Sequence, residues 1–135
     1  LLFALLLPLS VSVDAQINST AIKLNNGPVF NRQSIIGFQI ECSQNCYYYV
    51  GLEKVLNGTW REIMLDISLK ATSKEAVLKR ALGNRIARGQ LSIQNIPAAY
   101  LGPNNGLYRF KLRYGPSPAT ISKVALSNEF TVKQN

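Results

Sequence analysis

The chain contains no histidine. That absence removes the usual general base near neutral pH, any Ser–His or Cys–His nucleophile pair, and the commonest metal ligand. Cysteine is nearly as scarce. With only Cys42 and Cys46 and no histidine, a four-ligand zinc site cannot be assembled. The spacing Cys42-Ser-Gln-Asn-Cys46 is not Cys-x-x-Cys, and no thiolate-stabilising neighbour accompanies it, so a disulfide across a short turn is expected in place of redox chemistry. Closing so small a ring contributes about 2 kcal/mol in the chain-entropy picture, which fixes a turn and leaves the fold to its core. Glycine-rich phosphate loops, calcium-loop patterns, internal repeats and low-complexity segments are also missing.

What is present bounds the answer. A length of 135 residues suits one domain, and 47% apolar content is ordinary for a globular chain, so one domain is expected in preference to a multidomain enzyme. The apolar residues crowd the front, where residues 1–7 form an unbroken run, followed by Pro8 and by Val13-Asp14-Ala15. Small or β-branched residues at those last positions suit a signal peptidase, and the run falls short of the ~20 apolar residues that span a bilayer. We expect residues 1–15 to be a signal peptide truncated at its front, cleaved after Ala15, and residues 16–135 to form a single domain. No transmembrane segment or lipid-anchor tail is expected, and the product is read as secreted, extracellular or in a cell wall. Two glycosylation sequons agree with that compartment, Asn18-Ser19-Thr20 and Asn57-Gly58-Thr59, the second on an Asn-Gly pair that favours a hairpin turn.

After residue 16 the pattern is one of short period-two segments separated by Gly, Pro, Asn and Ser. Strands are predicted over residues 17–24, 34–42, 46–55, 60–71, 90–96, 107–114 and 127–133, with Ile63, Leu65, Ile67 and Leu69 as one alternating set. Between Ser73 and Gly83 the period changes, with Leu78 and Leu82 four apart, Ser73 as N-cap and Glu75 in the first turn, which predicts one short helix flanked by Lys74, Lys79, Arg80, Arg85 and Arg88. Such a basic piece suits a solvated face, a membrane or an acidic partner. Seven or so strands plus one short helix point to an all-β, immunoglobulin-like antiparallel sandwich.

Six carboxylates follow the leader, namely Glu41, Glu53, Glu62, Asp66, Glu75 and Glu129, and their spacing spells no hydrolase motif. Glu62 and Asp66 share a strand face as solvent-side residues, not as an acid and a base. A non-enzymatic domain without cofactor or metal is expected. Charge is the stronger signal: all 15 Lys and Arg follow residue 15 against those six carboxylates, a formal balance of +9. In a secreted chain such a field draws sulfated or phosphorylated glycans, acidic polymers or anionic headgroups, and a nucleic-acid role conflicts with the compartment. Alternation puts Arg109, Lys111 and Arg113 about 7 Å apart on one strand face, suited to an acidic extracellular protein or to plain solvation. Aromatics offer a second candidate, because sugar rings stack on Trp and Tyr. Tyr47 and Tyr49 point away from Tyr48, and Trp60 lies on the next strand, so these rings form either a glycan platform or part of the core.

The segments Gly89-Gln-Leu-Ser-Ile-Gln-Asn-Ile-Pro97, Leu107-Tyr-Arg-Phe-Lys-Leu-Arg113 and Ser127-Asn-Glu-Phe-Thr-Val132, with Ile35-Ile36-Gly37-Phe38-Gln39-Ile40 and Tyr49-Val50-Gly51-Leu52 before them, complete the pattern. Together they resemble the amino-terminal domain of the KNH-like family, the Ser/Thr-rich GPI-anchored group linked to fungal cell-wall β-1,6-glucan assembly. The likeness covers about 100 residues, counted from strand two to the end. Phe38 and Leu91 stand where the family often has Trp, residues 73–83 look like an insertion, and no Ser/Thr-rich stalk follows. The resemblance implies an extracellular sandwich of cell-wall type that binds cell-wall polysaccharide or a surface glycan, with no catalytic residue to carry over.

Overall fold

The structure, a computed structural model, describes residues 17–68 and 78–134. Alternation of apolar and polar side chains drives the architecture: one side of each strand is buried and the other is wet. The elements run β1 (Ala21–Leu24), β2 (Val29–Phe30), β3 (Ile35–Cys42), β4 (Cys46–Leu56), β5 (Thr59–Met64), β6 (Lys79–Ala81), β7 (Arg85–Ser92), a 3-10 turn (Ile93–Asn95), α1 (Ala98–Leu101), β8 (Gly106–Gly115), β9 (Lys123–Leu126) and β10 (Phe130–Val132). A three-stranded sheet, β1-β3-β7, stacks on a seven-stranded sheet ordered β2-β10-β8-β4-β5, with β6 added to β4 and β9 to β8. The fold is an immunoglobulin-like β-sandwich. It is not wholly antiparallel, because β2 runs parallel to β10, Val29 beside Thr131 and Phe30 beside Val132.

The inward residues form one core. From β3 it takes Ile36, Phe38, Ile40 and Cys42, from β4 Tyr48, Val50 and Leu52, and from β8 Tyr108, Phe110 and Leu112. Phe110 is its centre, with ring centroids 4.9 Å from Phe38 and 5.3 Å from Phe130. Cys42 and Cys46 form the expected disulfide, which joins the end of β3 to the start of β4. At the opposite end of β4 the hairpin turn has φ of 53° at Asn57 and 80° at Gly58, the primed geometry that an Asn-Gly pair selects.

Several expectations need correction. Of the helix predicted over 73–83, residues 73–77 lie outside the described residues, and Lys79–Ala81 is the strand β6, whose Ala81 pairs with Cys46 and is buried. Leu78 and Leu82, read as a helical stripe, are both exposed. The open backbone edge of β4 beside Cys46–Tyr48 offers hydrogen bonds that override the local period. The one α-helix among the described residues is α1, begun by Pro97 and ended at Gly102. The strand predicted over 60–71 ends at Met64, and of its alternating set Ile63 and Ile67 pack against the core while Leu65 does not. A register shift between Leu52 and Glu53 leaves Ile63 as an extra residue, so Met64 faces the core and Leu65 is exposed. Leu69 and the end of that range lie outside the described residues, as do Glu75, Lys74 and the whole leader with its cleavage site. Residues 93–96, assigned to a strand, form the 3-10 turn and its exit, while β7 begins earlier at Arg85. Within the final strand predicted over 127–133, β10 takes Phe130–Val132; β9 (Lys123–Leu126) precedes that range as a strand the sequence did not predict, and buried Ser127 lies between the two. Its hydroxyl accepts from the Phe110 amide at 2.8 Å and so replaces a missing ladder bond.

Candidate functional site

The outer face of the larger sheet gathers the residues singled out by pattern. In β4, Tyr47, Tyr49, Gly51 and Glu53 alternate with the core set, and pairing with β8 puts Tyr49 beside Arg113, Gly51 beside Lys111 and Glu53 beside Arg109. On the other side β5 sets Glu62 beside Glu53 and Trp60 beside Val55, while β6 sets Arg80 beside Tyr47. Residues paired in register share a face, so all six predicted positions, Tyr47, Tyr49, Trp60, Arg109, Lys111 and Arg113, stand on one surface. Tyr48 points inward and is buried, as the alternation requires.

Each ring on this face carries a guanidinium. Arg109 lies over Trp60 at 4.1 Å from the ring centroid, Arg113 over Tyr49 at 5.7 Å and Arg80 over Tyr47 at 5.9 Å, all within cation–π range. Two of these cations, Arg109 and Arg113, are also bonded to carboxylates. Arg109 Nε donates to Glu53 Oε1 at 2.7 Å, and Lys111 Nζ stands 3.6 Å from Glu53 Oε2. Arg113 holds Glu62 with two guanidinium nitrogens, at 2.5 and 3.1 Å; that hydrogen bond pushes the Arg113 pKa above its already high ordinary value. The result is a ladder of alternating charge laid over aromatic rings. With Arg80 its four cations face two carboxylates, which leaves most of the chain's overall positive charge elsewhere.

Glu53 and Glu62 are the residues that sequence reasoning missed. Period two from Tyr47 and Tyr49 places Glu53 on their face, but its pairing depends on strand order, and only register shows that β8 lies beside β4. Arg80 was hidden by its assignment to a helix. Asp66, read as a solvent-side partner of Glu62, is buried where the chain bends after β5, and its Oδ1 accepts from the Ser68 amide and hydroxyl at 2.9 and 2.7 Å. Glu62 is bound to Arg113 on the outer face, so the two carboxylates do not converge. Glu41 lies on the smaller sheet, where Lys23 at 3.0 Å and Gln39 hold its carboxyl below the usual range. Glu129 is exposed in the β9–β10 link. Among the described residues, no group of three or more Cys, Asp or Glu could hold a metal ion.

No family model matches the chain, and no curated protein does. Among solved structures it is similar to the CARDB domain of the PF1109 protein in complex with di-metal ions from Pyrococcus furiosus. The identity is 10%, over 87% of this chain and 94% of that one, with a TM-score of 0.43.

The two sequons sit apart from the ladder. Asn57 is exposed at the tip of the β4–β5 hairpin, and Asn18 is exposed ahead of β1. The latter lies near the disulfide end, where the Ile17 amide donates to Asn84 Oδ1 at 3.1 Å. Among the described residues no helix is long and apolar enough to cross a membrane.

Proposed function

We propose that this chain is a secreted, glycosylated and non-enzymatic sandwich domain that recognises a cell-wall polysaccharide or another surface glycan through the outer face of its larger sheet. The observation that carries the reading is the guanidinium-backed row of Trp60, Tyr49 and Tyr47. A ring held from one side by an arginine is fixed in orientation, and a pyranose stacking on it loses less entropy than on a mobile ring. Between the rings, Arg109, Arg113, Glu53 and Glu62 present alternating donors and acceptors, which suits hydroxyl groups that do both. The resemblance to the KNH-like family points toward the same class of ligand, and the disulfide and the exposed sequons fit export.

The rival reading, an acidic partner bound by Arg109, Lys111 and Arg113, is disfavoured because those cations already share Glu53 and Glu62. Ionic strength separates the two, since a contact with a polyanion weakens steeply with salt and stacking on a neutral glycan does not. The test is retention on insoluble β-glucan at low and high salt. We expect retention that is insensitive to salt, lost in Trp60→Ala and reduced in Arg109→Ala/Arg113→Ala. No retention at either salt overturns the glycan reading.

A further inference from the structure

A different part of the molecule has the makings of an anion site. At the disulfide end, a pocket of about 100 Å³ opens between the Cys42–Cys46 turn and the start of β9, with Thr20, Ser43, Gln44, Asn45, Tyr114 and Lys123 among its lining residues. The turn is fixed from several directions. Besides the disulfide, the Asn84 amide donates to the Cys42 carbonyl at 2.9 Å, and the Ser43 amide donates to the Thr20 hydroxyl at 3.3 Å. Gly83 packs so closely on the turn that a Cβ there would stand 2.9 Å from Gln44 Cα.

These contacts consume acceptors and leave donors. Asn45 Oδ1 takes the Gly83 amide at 2.8 Å, which orients the carboxamide and leaves its Nδ2 to donate. Thr20 Oγ1 accepts from the Ser43 amide and shares a second hydrogen bond, at 3.5 Å, with the Ser43 hydroxyl. Asn45 Nδ2, the Gln44 amide, the Tyr114 hydroxyl and Lys123 Nζ make no hydrogen bond or ion pair with another described residue, and the lining holds no carboxylate. A cation with neutral donors and no opposing charge in a small rigid recess is complementary to a compact oxyanion.

We propose that this pocket binds a small oxyanion, the sulfate, phosphate or carboxylate group of a ligand, with Lys123 supplying the charge and the disulfide turn supplying oriented neutral donors. The site is independent of the sheet-face reading, lies in a different part of the sandwich, and gives the net positive charge of the chain a local target.

The experiment titrates the purified protein with sodium sulfate, sodium phosphate and sodium glucuronate at constant ionic strength, following amide resonances by NMR. Saturable shifts confined to residues 43–46, 114 and 123 are expected with at least one of the three, and which one names the source: sulfate or phosphate for an ester-bearing ligand, glucuronate for an acidic sugar. Lys123→Gln should weaken binding about tenfold, the equivalent of one charge-assisted hydrogen bond. Arg61→Gln, on exposed β5 toward the hairpin end, removes the same charge and should leave binding unchanged. Tyr114→Phe, which deletes one of the donors, should weaken it without removing charge. Shifts that do not saturate, that spread over surface cations generally, or that respond equally to Lys123→Gln and Arg61→Gln overturn the proposal, whatever the β-glucan retention shows.

Discussion

Glu53 is the point at which the ladder is most exposed to test. It is 6% exposed, sits in the middle of the longest strand and serves two cations at once. Glu53→Gln keeps the shape but leaves Arg109 and Lys111, whose side chains are 20% and 24% exposed, without their shared counter-charge. A fully buried ion pair broken on one side costs about 3–5 kcal/mol. Partial solvent access of the cations screens that figure, and the glutamine still accepts a hydrogen bond, so we expect a loss of roughly 2–3 kcal/mol. For a domain of this size each kcal/mol moves the midpoint by about 3–5 °C, which predicts a fall of roughly 6–15 °C. The assay is urea unfolding followed by the fluorescence of Trp60, the single tryptophan. Because Arg109 rests on that ring at 4.1 Å and Glu53 positions Arg109, the native emission should shift as well. Glu129→Gln, exposed and outside the ladder, is the control. A Glu53→Gln protein within about 0.5 kcal/mol of the parent, the range of ordinary surface substitutions, would refute the ladder as an energetic unit.

Three other outcomes follow from the core and its edges. Burial pushes the Tyr108 hydroxyl up from 10.0 to about 12, so the folded state holds that proton more tightly than the unfolded chain does. Its contribution is intact below pH 10 and disappears as pH rises toward 12, a loss of about 2–3 kcal/mol that Tyr108→Phe should abolish in unfolding measured against pH. Lys54 acts in the opposite sense, since burial and then Arg32 lower its pKa, which makes the difference between the parent and Tyr108→Phe the quantity to read. Ser127→Ala strands the buried Phe110 amide and should cost about 1–3 kcal/mol by chemical denaturation. In Gly115→Ala the new Cβ would lie 1.7 Å from the Thr120 carbonyl oxygen, so the 116–120 loop must move, and hydrogen exchange there should rise well above the parent's.

The sheets were legible in the sequence wherever one face is buried and the other wet. Tyr108, Phe110 and Leu112 against Arg109, Lys111 and Arg113 is the clearest instance, and that alternation also placed the predicted face correctly. Legibility stopped where tertiary pairing decides. Lys79–Ala81 carries a helical spacing of leucines around it, yet it completes the edge of β4. Ile63 packs against the core as its pattern suggests, but the bulge opposite Leu52 and Glu53 brings Met64 inward beside it and turns Leu65 out, which the period does not show. Val29–Phe30 is too short for any period to register and is defined by its partner β10. Of the candidate site, the cations and rings were visible, but the carboxylates that answer them were not, because charge pairing across strands depends on which strands are neighbours.

The amino-terminal segment is shared between layers: β1 pairs with β3 in the smaller sheet, and β2 pairs with β10 in the larger one. A pull that enters through β1 and leaves through β10 would meet the parallel β2–β10 bonds in shear, loaded together, where a hairpin would open one bond at a time. The short segment from Ala21 to Phe30 thus ties the two layers together at the strand that such a pull would load first.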